Sequence, residues 1–409
     1  MLLEAMNGWC GEIKKFKIEI ALTILFASMI FSFRLPYLGE WVSSKIHPFY
    51  ATEFMETVTN RAGLLYVLSF ALTSSILGIL LDYIRPRCRV IAALGTIGTA
   101  LLLGISDQLY PWTPFHMYII WIINGVTHSF LLFGFGCLLK EKVDVYYRGL
   151  VSGVGFFLGM IFHITFNTLS GFSIWNTATQ LLLLIVAVFP LVLLRFERSG
   201  ITEAVHVRDY RRYIFALPLF TFTYIMGGVL HLFSSDESYL FLRSSPIYIL
   251  MIIPYVFSVV GGRICDVKGR KETGTLGYIF LGVGILSLYA HILTGTTSFL
   301  PMVGSTSLIA VGYAFVVPYI VTTWIDIPSL KYFGRAFALG VITASTGTIA
   351  GILISLLGGI IFTLTVGTFL IFAISFTIYR LPETLPKERV TKKQLLDYVE
   401  KAKKVAGKK

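Results

Sequence analysis

Charge is scarce in this chain of 409 residues: Asp, Glu, Lys and Arg together make up 14%, against 56% apolar residues. One water-soluble globule cannot hide that much apolar surface, so the composition places the chain among integral membrane proteins. Cysteine is scarcer still, with four residues at Cys10, Cys88, Cys137 and Cys265. Their scatter excludes a disulfide framework and a zinc-binding spacing. No His-x-x-x-His spacing is present, and "GGRICDVKGRKETG" lacks the Gly-Lys-Ser/Thr of a phosphate loop. A zinc hydrolase and an ATP-driven pump are therefore not expected, and no cofactor is expected. The amino end carries no cleavable signal pattern, because its first apolar run is too long for a signal-peptide core.

What the sequence does hold is a series of apolar segments near the roughly 20 residues that a helix needs to cross a bilayer. They lack period-2 alternation, which argues for helices over an outer-membrane barrel. The expected spans are 18–38, 62–83, 90–109, 115–139, 149–170 and 173–194, then 213–233, 246–264, 274–294, 299–324, 336–359 and 361–380. Most connections are too short to hold a folded domain.

Of the 34 Lys and Arg residues, 30 fall in the two ends and in alternate connections, leaving only Arg34, Lys45, Arg61 and Arg243 elsewhere. Cytoplasmic loops retain positive charge, so both termini are expected in the cytoplasm and the chain in the cell membrane. The net charge of +12 is then a matter of topology and calls for no nucleic acid. The expected organisation is a cytoplasmic amino end (1–17), a six-helix bundle (18–194), a cytoplasmic linker (195–212), a second bundle (213–380) and a basic tail (381–409). The tail reads as a basic amphipathic helix on an anionic leaflet or as a solvated segment.

Two fragments recur in register. Gly78 and Asp82 match Gly262 and Asp266 at a separation of 184 residues, and Arg148 with Gly153 matches Arg335 with Gly340. The two halves thus look like copies of one six-helix unit. These residues resemble the major facilitator superfamily of secondary transporters, whose signature loop runs approximately Gly-x-x-x-Asp-Arg-x-Gly-Arg-Arg. Gly262, Asp266, Gly269, Arg270 and Lys271 fit it, and Val267 departs from it. In the first half Gly78, Asp82 and Arg87 fit, whereas Tyr83, Arg85 and Pro86 do not. Glu141 to Arg148 and "LPET" at 381–384 also look familial.

The resemblance implies an all-α membrane protein of 12 transmembrane helices in two pseudo-symmetric bundles, working by alternating access. It also implies a gate in which the loop of each half engages the other. Asp82 is expected to face the start of span 11 near Arg335, and Asp266 the start of span 5 near Arg148. Arg87, Glu141, Gly262, Arg270 and Asp326 complete the candidate gating set.

Buried polar residues are the pointer to a substrate path. Away from span ends the ionisable residues are Arg34, His128 and His163, and no Asp or Glu lies near the midplane. Asn124 with His128, and His163 with Asn167, each share a helix face by their i,i+4 spacing. Tyr224, Tyr255, Tyr319 and Trp324 are the candidate contacts on the opposite wall. A cationic, polar wall suits a small organic anion or polar metabolite, and efflux of neutral amphipathic compounds is the alternative reading. Protons are a candidate coupling ion through the two histidines. The expected partners are a small-molecule substrate and the bilayer, and the expected state is a monomer. A membrane-embedded enzyme or a transporter-like sensor is the contrasting reading, and no enzymatic activity is expected.

Overall fold

The computed structural model describes residues 18–30, 52–84, 88–108, 113–169, 213–235, 252–295, 299–328, 332–378 and 380–386. Span 6, the linker 195–212 and the tail beyond residue 386 lie outside them. The described residues are helical almost throughout and contain no strand.

The first half supplies α1 (Ile18–Ile30), α2 (Thr52–Ile84), α3 (Cys88–Gln108), α4 (Pro114–Lys142) and α5 (Arg148–Leu169). In the second half a 3-10 turn leads into α6 (Ala216–Ser235). Then come α7 (Ile252–Tyr255), α8 (Phe257–Val267), α9 (Arg270–Leu293), α10 (Phe299–Asp326) and α11 (Phe333–Ile378). Gly359, at φ 66°, breaks α11 into two arms, where the sequence expects one span to end and the next to begin. Helix α2 starts ten residues before its expected span. Residues 52–61 are too polar for hydrocarbon but hold no Gly or Pro, so loss of hydropathy marks the edge of the apolar slab and not the end of the helix. Helices α7 and α8 form one span interrupted at Val256, whose amide donates to Ile253 in a tight turn two residues after Pro254.

Among the described residues, five stretches are long and apolar enough to cross a membrane by length and composition: Arg61–Tyr83, Pro114–Lys142, Arg270–Leu293, Leu300–Asp326 and Phe333–Ile378. Large apolar side chains such as Leu72, Leu357 and Phe369 face outward, which in water would be an aggregation hazard and in a bilayer is the matching surface. The interior runs continuously from Leu25, Phe26 and Phe135 to Tyr278, Leu281 and Ile374.

Small residues set how closely helices pack. In α11, Gly347 and Gly351 lie against backbone atoms of Phe220 and Tyr224 in α6, where an added Cβ would meet carbonyl oxygens. Two seams join the halves: α2 runs against α11, and α5 runs against α8 and α10. Both bring the helix ends next to the basic connections into contact, and that end is the charged end below.

Candidate functional site: a two-seam charged cluster

At the first seam, Gly78 of α2 and Gly334 of α11 lie face to face, and a Cβ on Gly78 would be 2.5 Å from the Ala338 methyl carbon. This closeness lets Asp82 cap the amino end of α11. Its carboxylate accepts from the amides of Gly334 at 2.7 Å and Arg335 at 3.2 Å. An anion at a helix amino end is favoured by unpaired N–H groups and by the helix dipole. The Arg335 guanidinium adds an ion pair at 3.2 Å, but its side chain is 51% exposed. It also lies over the Tyr83 ring at 5.2 Å.

The second seam repeats the plan and adds to it. Gly149 at the start of α5 faces Gly262 of α8, so close that a Cβ on Gly149 would be 2.5 Å from the Gly262 oxygen. Asp266 accepts from the amides of Gly149 at 2.8 Å and Leu150 at 2.6 Å. Farther along, the Ser258 hydroxyl donates to the Gly153 oxygen at 2.8 Å.

Asp266 thus lies at the start of α5 beside Arg148, but the guanidinium that pairs with it is not that of Arg148. It is Arg270, one turn away across the loop, at 2.8 Å. Arg148 turns to Asp326 at the end of α10, forming an ion pair. Its other nitrogens donate to the oxygens of Val143 at 3.0 Å and Lys140 at 2.8 Å. Two backbone amides occupy the face of Asp266 toward α5. Arg270 also pairs with Asp326 at 3.1 Å and donates to the Val145 oxygen across the seam at 2.6 Å. Asp326 thus joins one arginine from each half, and all four side chains are 2% exposed or less. Removing one member of such a buried set leaves an uncompensated charge, which costs about 3–5 kcal/mol.

Lys140, which the sequence presents as one more topological charge, is buried against the second half. Its ammonium donates to the Ile325 oxygen at 2.6 Å, at the carbonyl end of α10 where a cation complements the dipole. It also lies over the Phe333 ring. Glu141 is exposed at the end of α4. Arg87 lies outside the described residues.

Above the ionic layer, aromatic rings close the seams. Phe133 of α4 meets Phe337 of α11 edge-on at 5.1 Å. Phe156 of α5 meets Tyr255 at 5.8 Å and Tyr313 at 5.3 Å, and Tyr313 stacks on Phe222 at 4.9 Å.

The candidate path residues are not gathered around one space in this conformation. His128 is fully buried between α4 and α2, its Nδ1 3.0 Å from the Tyr66 hydroxyl, and Asn124 is buried one turn away. Tyr224 donates to the Thr363 oxygen in the second arm of α11, within its own half. Tyr319 is buried against Tyr278 and packs over Gly274. Trp324 lies beside Gly340, close to the charged end. Tyr255 touches the other half through Phe156. Arg34 and the side chains of His163 and Asn167 lie outside the described residues.

No protein-family model and no curated protein matches the sequence, whereas many solved structures match the fold. Three of them are "human organic anion transporter MFSD10 (TETRAN)", the "proton:xylose symporter XylE" and a "bacterial homologue of iron transporter ferroportin in outward-facing state". The first is 13% identical with TM-score 0.64, covering 89% of this chain and 99% of that one. The second is 14% identical with TM-score 0.67, covering 91% and 97%. The third is 14% identical with TM-score 0.66, covering 90% and 99%. The chain carries the fold of the major facilitator superfamily.

Proposed function

We propose that the chain is a secondary transporter in which two six-helix halves rock about a central path, and that the charged end is its cytoplasmic gate, closed in this conformation. One observation carries the reading: at each seam an aspartate at the end of one half's helix caps the amino end of a helix in the other half. Contacts that merely anchored loops would not need to cross between halves, and crossing contacts are what a reversible gate must make and break. The solved transporters that share the fold support it, one of them titled as outward-facing.

The substrate we favour is a small organic anion or polar metabolite. The spans hold no carboxylate near their centres, while Arg34 and His163 lie within them. One structure of this fold is titled an organic anion transporter. In this reading Arg34, His163, Asn167 and Asn124 face the path, and His128, held by Tyr66, fixes α4 against α2. Efflux of neutral amphipathic compounds is the second reading, favoured by the aromatic group of Phe156, Tyr255, Tyr313 and Phe222 where the halves meet.

Uptake of labelled organic anions into proteoliposomes separates the two. Arg34→Ala should cut anion uptake about tenfold, the loss of one charge-assisted contact. Undiminished uptake would sink the anion reading. A thermal-shift screen of the purified protein against metabolites identifies the ligand, because a compound that binds only the folded state raises its apparent stability.

A further inference from the structure

The residues just after α11 do more than end the bundle. The amides of Arg380 and Leu381 close the last turn on the oxygens of Thr377 and Ile378, and Leu381 is buried in the main core. Pro382 and Pro386 then bracket Glu383, Thr384 and Leu385, narrowing their backbone freedom. Glu383 reaches the amino end of α9 in the second half. Its carboxylate accepts from the amides of Arg270 at 3.1 Å and Lys271 at 3.0 Å, and turns back to accept from Leu385 at 2.9 Å. Gly269 leaves room for it: a Cβ there would be 2.5 Å from Glu383 Oε2, and φ of 136° is tolerated chiefly by glycine.

Two residues on, the chain crosses to the other half. Leu385 is 6% exposed and clusters with Val145 and Tyr146 in the α4–α5 connection. A stretch of three residues therefore holds a helix of the second half through an anion and a loop of the first half through an apolar contact. Ending a helix requires neither.

We infer that residues 381–386 form a strap that clamps the two halves together, so that the charged end opens only when Leu385 leaves its seat on Val145 and Tyr146. The inference rests on reading that end as a gate. The strap's contact with the first half is apolar, so salt does not screen it.

Cys265 reports the opening. It is fully buried beneath the start of α5, where a Cβ on Gly149 would be 2.8 Å from its own Cβ. The experiment measures the rate of maleimide labelling of Cys265 in full-length protein in proteoliposomes, with Cys10, Cys88 and Cys137 replaced by serine. Leu385→Ala should speed labelling about tenfold, as loss of a buried leucine contact would. Glu383→Gln should speed it about threefold through loss of a charge-assisted cap. Leu385→Ile should label like the parent, which separates clamping from misfolding, and a stop codon at Lys387 should leave the rate unchanged.

Parental labelling in Leu385→Ala and Glu383→Gln, with Asp266→Asn accelerated, would overturn the strap and leave the gate standing. Parental labelling in all three would overturn both. Acceleration by the stop codon equal to that of Leu385→Ala would move the clamp to the basic tail and overturn the assignment to the strap.

Discussion

The two seams are built from one plan and differ in strength. At the first, Asp82 caps α11 and pairs with Arg335, half in solvent. At the second, Asp266 caps α5 while Arg270, Asp326 and Arg148 form a closed ionic set out of solvent. The loop that departs most from the repeated pattern, with Tyr83, Arg85 and Pro86, makes the thinner seam. The loop that keeps Gly269, Arg270 and Lys271 makes the thicker one. An exposed pair contributes about 0–1 kcal/mol, whereas breaking a buried one costs about 3–5 kcal/mol. In the proposed gate this difference would give the seams separate tasks: the first yields readily, and the second decides when the gate opens.

Asp326→Asn breaks the comparison most severely, because it leaves Arg148 and Arg270 facing each other with one carboxylate fewer. The gate equilibrium should shift toward open by about 3–5 kcal/mol, seen as faster Cys265 labelling and a lower melting temperature. Gly149→Val comes next. Its side chain would press on Gly262 and Cys265, and wedging the seam should cost about 1–3 kcal/mol, read by the same labelling. Asp82→Ala removes the cap and the pair at the first seam together, and should cost about 1–2 kcal/mol. Arg335→Ala should cost at most about 1 kcal/mol, and the effect should fade as salt is raised from 0.05 M to about 1 M, since its pair is exposed. Equal effects of Asp82→Ala and Asp326→Asn would erase the distinction between the seams.

Much of this arrangement is legible in the sequence, and the illegible parts have a common cause. The repeat of Gly78 and Asp82 at Gly262 and Asp266 points to both seams, because a helix-end aspartate after a close-packing glycine is a local signal. The partners of Asp326 are not local: Arg148 lies 178 residues away in sequence, and only the crossing of α10 with α5 brings them together. Lys140 reads as an ordinary loop-side cation because a lysine at a helix end is normally solvated; its burial depends on where α10 ends. Glu383 is visible within "LPET", but its role depends on the amino end of α9 more than a hundred residues upstream.

The path residues are the least legible. Helices that are apolar on every side carry no stripe to say which face meets a partner. Tyr224 and Tyr319, which the sequence offers as substrate contacts, pack against Thr363 and Tyr278 of the second half. Buried tyrosines seek a backbone acceptor, and Tyr224 finds one in Thr363.

The central claim is that the charged end is a gate held by the second seam. The most direct test is the distance between spin labels at Val90→Cys and Glu272→Cys, exposed positions near that end in opposite halves, in a background without native cysteines and in lipid nanodiscs. The account predicts a distribution dominated by one short distance, with a longer population that grows strongly in Asp326→Asn. A single short distance, identical with and without Asp326→Asn in a protein that remains folded, would contradict it.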